Sequence, residues 1–455
     1  MKNAILWLGP ITAILVGSLM KTAGADSPMC WTAAITILTA IWWIFEPIPI
    51  PATCFIPLAL LPLVGVLQPS EVGEAYGHHL ILLLLGGFML SAGMERSGAH
   101  RRIALNMVHW LGGSGGRRLV FGFMAASAVL SMWISNTATT LMLLPIIMAV
   151  VEKVKEERLK IALLLGVAYA ASVGGIGTPV GTPPNLVCIQ IYREYFDIEP
   201  TFTQWMTWAL PVVVVMIPLV GLWLTRGLKS NQRIELPAVG QWRSEEIRTL
   251  AVFAMTALLW VTRREPYGGW SGGLGLENAN DASVALLGVV AMFVIPNGRG
   301  EKLLDWKTAA KIPWGILVLF GSGIAIAKAF KSSGLSDSLA NQLTGLDQLP
   351  PLLLIGCVCL AVTFMTEVTS NTATTTLLMP ILAAASIKAD IDPRLIMIPA
   401  AMSASFAFML PVATGPNAVI FGSEQLTVRT MAREGLALNL IGVVVITLLF
   451  FFTFR

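Results

Sequence analysis

Apolar residues run along this chain in long blocks, and polar residues gather in the short gaps between them. Blocks near 3–20, 29–45, 49–67, 78–95, 160–191, 206–225, 247–262, 281–296, 312–330, 394–423 and 435–454 approach or exceed the about 20 residues that a helix needs to cross a hydrocarbon core of about 30 Å. The pattern predicts an all-α integral membrane protein with about eleven transmembrane helices. Two regions break the rhythm. On either side of Ser135 the apolar arms 119–133 and 138–151 are about 21–23 Å long as helices, less than a full crossing. The arms 352–365 and 373–387 around Ser370 are equally short. These predict two re-entrant helical hairpins, at 118–151 and 350–387. Inside the blocks 160–191 and 394–423, the Gly- and Pro-rich stretches 174–185 and 411–417 predict broken helices. Non-helical backbone at membrane depth is tolerated only where it is buried in protein or lines a wet cavity.

Composition agrees with the pattern and narrows the function. Of 455 residues 55% are apolar and only 12% charged, against about 45–50% and about 25% in soluble domains, which excludes a soluble enzyme. The net charge of +4 is too small and too dispersed for a nucleic-acid partner. Cys30, Cys54, Cys188, Cys357 and Cys359 lie in or beside apolar runs, and neither they nor His78, His79, His100 and His109 form a disulfide framework or a metal-ligand pattern. The charges serve topology. With the N-terminus cytoplasmic, eleven crossings put Arg96, Arg101, Arg102, Arg117, Arg118, Lys153, Lys155, Arg158 and Lys160 inside. Arg226, Lys229, Arg233, Arg243, Arg248, Arg299, Lys302, Lys307, Lys311, Arg429 and Arg433 fall inside too, and the C-terminus is extracytoplasmic. The opposite loops are poor in base, as the positive-inside rule requires. Arg263 and Arg264 are the exceptions. The alternative for residues 1–25 is a cleaved signal, since Lys2, an apolar stretch and Ala23-Gly24-Ala25 imitate its three regions.

Two strings recur. Ser135-Asn136-Thr137-Ala138-Thr139-Thr140 returns as Ser370-Asn371-Thr372-Ala373-Thr374-Thr375, displaced by 235, with Pro145 and Pro380 in register. Pro179-Val180-Gly181-Thr182-Pro183-Pro184-Asn185 returns as Pro411-Val412-Ala413-Thr414-Gly415-Pro416-Asn417, displaced by 232. The chain therefore divides into N-terminal spans 1–77, a first repeat 78–230, connecting spans 231–311 and a second repeat 312–455. Five spans separate the starts of the two repeats, and an odd number inverts the second copy. Inverted repeats bring their irregular segments together near the midplane, predicting one site built from both halves.

Ser, Asn and Thr are favoured at helix N-caps, so each hairpin tip is suited to start a returning half-helix whose amide end attracts an anion. Hydroxyl, amide and carbonyl oxygens at the same tips suit a hard cation such as sodium. The competing structural reading is that Ser and Thr permit close helix packing and bond their own backbone. Asparagine at both tips, duplication of the string and a broken helix beside each favour the site. Glu367 is costly at depth and a functional candidate, although Met132 stands at its place in the first repeat, so a bracing role is the alternative. No Lys or Arg lies within the four motifs, so a dianion bound there depends on helix ends, hydroxyls and co-bound cations, which favours coupling.

At these residues the chain resembles the divalent anion/sodium symporter (DASS) family, carriers of dicarboxylates, citrate and sulfate. The string from Thr366 to Thr376 is similar to the family signature. The resemblance implies a first sodium site of Ser131, Ser135, Asn136 and Gly181, and a second of Thr366, Ser370, Asn371 and Ala413. It implies substrate contacts from Ser135, Asn136, Thr137, Ser370, Asn371 and Thr372, with Thr182 and Thr414 beside them. Gly415 departs from the usual double proline. The resemblance further implies a homodimer, an elevator-type motion of a transport domain against a scaffold that includes 1–77 and 231–311, and a surface arm near 101–111 linking the two.

The function expected is secondary active transport in the plasma (inner) membrane: sodium-coupled import of a divalent anion, most simply a C4-dicarboxylate such as succinate, malate or fumarate. Na+ is the coupling ion and no organic cofactor is implied. The alternatives are a sodium-independent dicarboxylate exchanger, a sulfate or tricarboxylate carrier and, in another class, an anion channel whose re-entrant loops act as filters. No pairing of nucleophile and base lies at depth, so no enzyme is expected.

Overall fold

A computed structural model describes residues 2–112, 115–154, 156–228, 240–265, 268–276, 278–342 and 349–454. Lys155, Lys229 and Arg233, three of the basic residues expected inside, lie outside these. The described chain is helical. It opens with α1 (Lys2–Thr22) packed against α2 (Ser27–Phe45), then the short α3 (Ile50–Thr53), α4 (Phe55–Leu63) and α5 (Pro69–Tyr76). A first series follows: α6 (His79–Ser97), α7 (Ala99–Gly112), α8 (Gly116–Ser131), α9 (Asn136–Val151), α10 (Glu157–Gly175), α11 (Pro183–Phe196) and α12 (Phe202–Leu224). Next come α13 (Ser244–Val261), α14 (Gly269–Gly273), α15 (Asp281–Val294) and α16 (Trp306–Ala309). A second series repeats the order of the first: α17 (Trp314–Ser332), α18 (Leu335–Gln342), α19 (Pro351–Thr366), α20 (Asn371–Lys388), α21 (Met397–Ser403), α22 (Gly415–Phe421) and α23 (Val428–Thr453).

Seven helices among the described residues are long and apolar enough to cross a membrane. They coincide with seven of the eleven expected spans, and the other four differ for local reasons. The block 49–67 is no single helix: Pro49, Pro51, Pro57 and Pro62 remove backbone donors, and α3 and α4 have 4 and 9 residues. The 18-residue α13 carries Glu245, Glu246 and Arg248 in its first turns, and α15 has 14 residues. Only α10 of the block 160–191 is long enough alone, whereas the block 394–423 leaves two 7-residue helices on either side of an irregular middle.

Buried ion pairs tie the helices where they meet polar loops. Glu434 of α23, fully buried, accepts from Arg158 Nη1 at 3.0 Å, Arg226 Nη2 at 2.8 Å and Trp223 Nε1 at 3.0 Å. One carboxylate thus joins the start of α10, the end of α12 and the start of α23. Arg102 of α7 donates to Glu246 of α13 at 2.6 Å and to two backbone carbonyls before it, Gly240 and Gln241.

The two arginines that violate the charge asymmetry behave differently from each other. Arg263 is buried and grips Asp281 with both prongs, Nε to Oδ1 at 2.6 Å and Nη2 to Oδ2 at 3.2 Å, while Nη1 donates to the Ala279 carbonyl. The arginine's charge is met inside the protein rather than in solvent. Arg264 is exposed. Replacing Arg263 by Ala leaves Asp281 buried and alone, so Arg263→Ala is expected to lose about 3–5 kcal/mol of stability. Arg264→Ala should change it by no more than about 0.5 kcal/mol. Thermal unfolding of both variants in detergent checks the contrast.

Candidate functional site

The two hairpin tips share the bond that orients the motif asparagine but not the cap, since Ser135 caps its helix with its side chain and Ser370 does not. In the first, α8 stops at Ser131 and Ser135 caps α9, its Oγ accepting from Ala138 N at 3.4 Å. Ser131 Oγ donates to Asn136 Oδ1 at 2.6 Å and is wholly buried. In the second, the Thr366 hydroxyl at the end of α19 shares its one hydrogen between Asn371 Oδ1 at 2.7 Å and the Ala404 carbonyl at 2.9 Å. Thr140 and Thr375 each bond back to the carbonyl of the tip asparagine, at 2.9 and 2.8 Å. The residue one turn before each motif therefore orients the amide of the motif asparagine.

Beside each tip the backbone is irregular, and its carbonyls need partners. Asn185 Nδ2 donates to the carbonyls of Gly175, Ile176 and Thr178 at 3.1, 3.3 and 2.7 Å, and Trp205 Nε1 donates to Ile176 O at 2.9 Å. Thr178 Oγ1 reaches back to Met132 O in the first tip. In the second break Asn417 Nδ2 donates to Ala407 O and Leu410 O at 2.9 and 3.0 Å, and Tyr169 Oη to Phe408 O at 2.7 Å. Asn185 and Asn417 close the recurring second motif, and this is the signal that marks them from sequence. Nothing in the pattern of α10 or α12 singles out Tyr169 or Trp205.

The four motif segments meet in one cavity of about 790 Å³. Ser135, Asn136, Thr137, Gly181, Thr182, Ser370, Asn371, Thr372, Ala413 and Thr414 all line it. Ser131 and Thr366 do not; they stand buried behind the asparagines they hold. At Gly181 a Cβ would meet the carbonyl oxygens of Gly175, Ser131 and Met132, the last two at 3.0 Å. Only glycine lets these oxygens gather. A Cβ at Gly415 would collide with the Thr137 hydroxyl. The proline ring missing from the second motif is thus answered by a side chain of the first tip, which fills the space and joins the two halves.

The first residues of α9, α11, α20 and α22 all line the cavity. The amide ends of α9 and α20 carry partial positive charge, whereas α11 opens on Pro183 and Pro184, which have no N–H, and no Lys or Arg is among the described lining residues. Outside the motifs the lining is largely apolar, with Ile44, Phe45, Ile50, Leu84, Phe88 and Ile316, interrupted by Glu46 and Ser91. An adjoining hollow of about 490 Å³ shares Phe88, Ser91, Ser135 and Pro313 with the cavity and leads to Glu95, Arg96 and Lys311. The tips are not equivalent in packing. Trp133 stacks on Phe202 and Trp260 at 6.0 and 6.4 Å and meets Phe253 edge-on, whereas Val368, 235 residues later, is 65% exposed.

Residues 4–454 match the family model described as the sodium:sulfate symporter transmembrane region. The chain belongs to this family. It is a multi-pass membrane transporter rather than an enzyme. The chain is 38% identical to a sodium-dependent dicarboxylate transporter, SdcS, of Staphylococcus saprophyticus, over 98% of this chain and 90% of that protein. It is 36% identical to the protein of that name in Staphylococcus aureus, again over 98% and 90%. Among solved structures, the YdaH transporter of Alcanivorax borkumensis shares the fold, with a TM-score of 0.59 at 16% identity, over 86% of this chain and 89% of that one.

Glu367 lies outside the cavity lining of this symporter-family chain. Its carboxylate, 3% exposed, accepts from Met409 N and Leu410 N at 2.8 and 3.0 Å and from Asn439 Nδ2 at 2.6 Å. It is a brace between the end of α19, the second break and α23. Glu367→Gln turns an acceptor oxygen into a donor against these amides, and is expected to lose roughly 2 kcal/mol of stability. Amide exchange should accelerate around Met409 and Leu410 while the equivalent first break, near Ile176, keeps its protection. Hydrogen-exchange mass spectrometry of the variant measures both.

Proposed function

We propose that this chain imports a C4-dicarboxylate such as succinate, malate or fumarate across the plasma (inner) membrane, coupled to sodium. The observation that carries the reading is the composition of the cavity wall: helix N-termini for an anion and converging oxygens for cations, with no basic side chain among the described lining residues. The names of the SdcS relatives supply the dicarboxylate and the sodium dependence. In this reading Ser135, Asn136, Thr137, Thr182, Ser370, Asn371, Thr372 and Thr414 hold the dianion. Ser131, Ser135, Asn136 and Gly181 hold one sodium ion, and Thr366, Ser370, Asn371 and Ala413 a second. The Asn136 and Asn371 amide oxygens accept from Ser131 and Thr366, and the same oxygens keep a second lone pair for a cation. Binding becomes cooperative because each charge neutralises the other in a site without fixed counter-charges.

The repeated element order supports the architecture proposed with it: about eleven crossings and two re-entrant hairpins in inverted repeats over 78–230 and 312–455. The transport domain comprises the hairpins, the broken helices and their neighbours, and it moves by an elevator motion against a scaffold built from 1–77, 231–311 and adjoining helices. α7 is the arm between the domains, and the protein works as a homodimer. With the N-terminus cytoplasmic, the hollow toward Arg96 and Lys311 opens to the cytoplasm, so the conformation is inward-facing.

Uptake of radiolabelled succinate into proteoliposomes, with a sodium gradient or with choline in its place, tests the function. Sodium-driven accumulation is expected. Uptake indifferent to sodium but dependent on internal dicarboxylate would assign a sodium-independent exchanger instead. Asn136→Ala and Asn371→Ala should each reduce uptake to background with membrane insertion intact, since an acceptor is lost and hydropathy is not. Parental uptake by both variants would refute the site.

A further inference from the structure

Among the described residues lining the 790 Å³ cavity one carries a formal charge, and it is an acid: Glu46. It follows the last residue of α2 and lines the cavity together with Phe45, Ile50, Pro313 and Ile316. It is exposed and forms no ion pair among the described residues.

The backbone makes this glutamate conspicuous. Glu46 caps α2 in the left-handed region, at φ 45° and ψ 52°, its N–H donating to Trp42 O at 3.1 Å. That place after a helix is ordinarily taken by glycine, less often by asparagine, because a Cβ there is strained. Pro47 follows directly and restricts the residue before it further. The other non-glycine residues with positive φ, Asp197, Asp390 and Glu424, do not line the cavity. Local geometry therefore favours glycine at 46 and a carboxylate is held there instead. Strain retained at a site is a pointer to a role for the side chain.

We infer that Glu46 is a charge filter that couples the anion to its cations. The inference rests on the proposed sodium-coupled dicarboxylate function. A dianion alone between the tips shares the cavity with this unpaired carboxylate, and like charges in one cavity repel each other over a screening length of about 8 Å in physiological salt. The anion-only state is raised in energy. Once two cations join the dianion the load is neutral and the same carboxylate no longer opposes it, and with a third cation the load is positive and the carboxylate attracts it. A group that interacts differently with these states shifts their populations, which a neutral residue at 46 does not do. Because α2 belongs to the scaffold in the proposed motion, the filter acts on the load while the cavity is open on this side. It selects what the transport domain carries without being one of the groups that bind it.

Reconstituted protein tests this with labelled succinate, sodium titration and sodium-free exchange against internal succinate. Glu46→Gln is expected to raise the half-saturating sodium concentration by roughly two- to fivefold, the range of one exposed charge interaction, and to open sodium-free exchange that the parent lacks. Glu46→Asp should keep parental coupling. Glu46→Gly relieves the backbone, so it should unfold at the parent's temperature or above while showing the coupling defect of Glu46→Gln. Parental sodium dependence with no sodium-free exchange in both Glu46→Gln and Glu46→Gly would overturn the inference. Complete loss of uptake in a folded Glu46→Gln would also overturn it, by making the residue part of the binding machinery. Sodium-indifferent uptake by the parent would instead overturn the function beneath it, and the inference with that.

Discussion

Backbone that leaves the helix inside an apolar protein must find a partner for every N–H and C=O it frees, and the architecture around the cavity follows from that requirement. The breaks at 176–182 and 404–414 are each stitched by one asparagine from the helix that restarts, Asn185 and Asn417, whose amide nitrogens collect two or three carbonyls apiece. Further bonds come from outside: Trp205 from α12, Tyr169 from α10, and Glu367 with Asn439 from α19 and α23. Each satisfied break leaves helix ends directed at a common space. The cavity is thus a by-product of how the breaks are closed, and the groups that close them stand behind the groups that face it.

The two halves meet this requirement unequally. In the first break the carbonyls are bonded by Asn185 and Trp205, and Thr178 pins the loop to the tip. In the second, a carboxylate bonds amides, which the first half lacks because Met132 stands where Glu367 does. The tips differ as well, Trp133 being built into an aromatic stack while Val368 is exposed. The two copies share their order of helices and the strings that face the cavity or stitch the breaks, while the packing around those strings differs.

Charge is used sparingly and by place. Where helices end near polar loops, carboxylates such as Glu434 and Glu246 are surrounded by arginines and fix the helix termini. At the cavity the described lining is neutral apart from Glu46, and the fields come from backbone dipoles. Dipoles at helix ends are fixed by the fold and need no desolvated counter-charge.

Much of this was legible in one dimension because it depends on local rules. Apolar block length fixes which segments suit a membrane, the short arms at 119–133 and 138–151 mark a hairpin, and the recurrence of Ser135–Thr140 and Pro179–Asn185 in a second copy marks the segments that meet. Even the anomaly at Arg263 was visible as a charge on the wrong side. Its partner was not, since Asp281 lies 18 residues away and only the packed loop brings them together. Blocks overlook what proline does inside them, so 49–67 read as one span and folds as two short helices. The bracing role of Glu367, the Thr137 hydroxyl filling the space at Gly415 and the place of Glu46 in the same cavity as the tips join residues 42 to 326 positions apart. Hydrophobic periodicity records which side of a helix is apolar, and motif spacing records which segments are alike. Neither records which side chain stands opposite another across a cavity, and that was decided only when both halves closed around the same space.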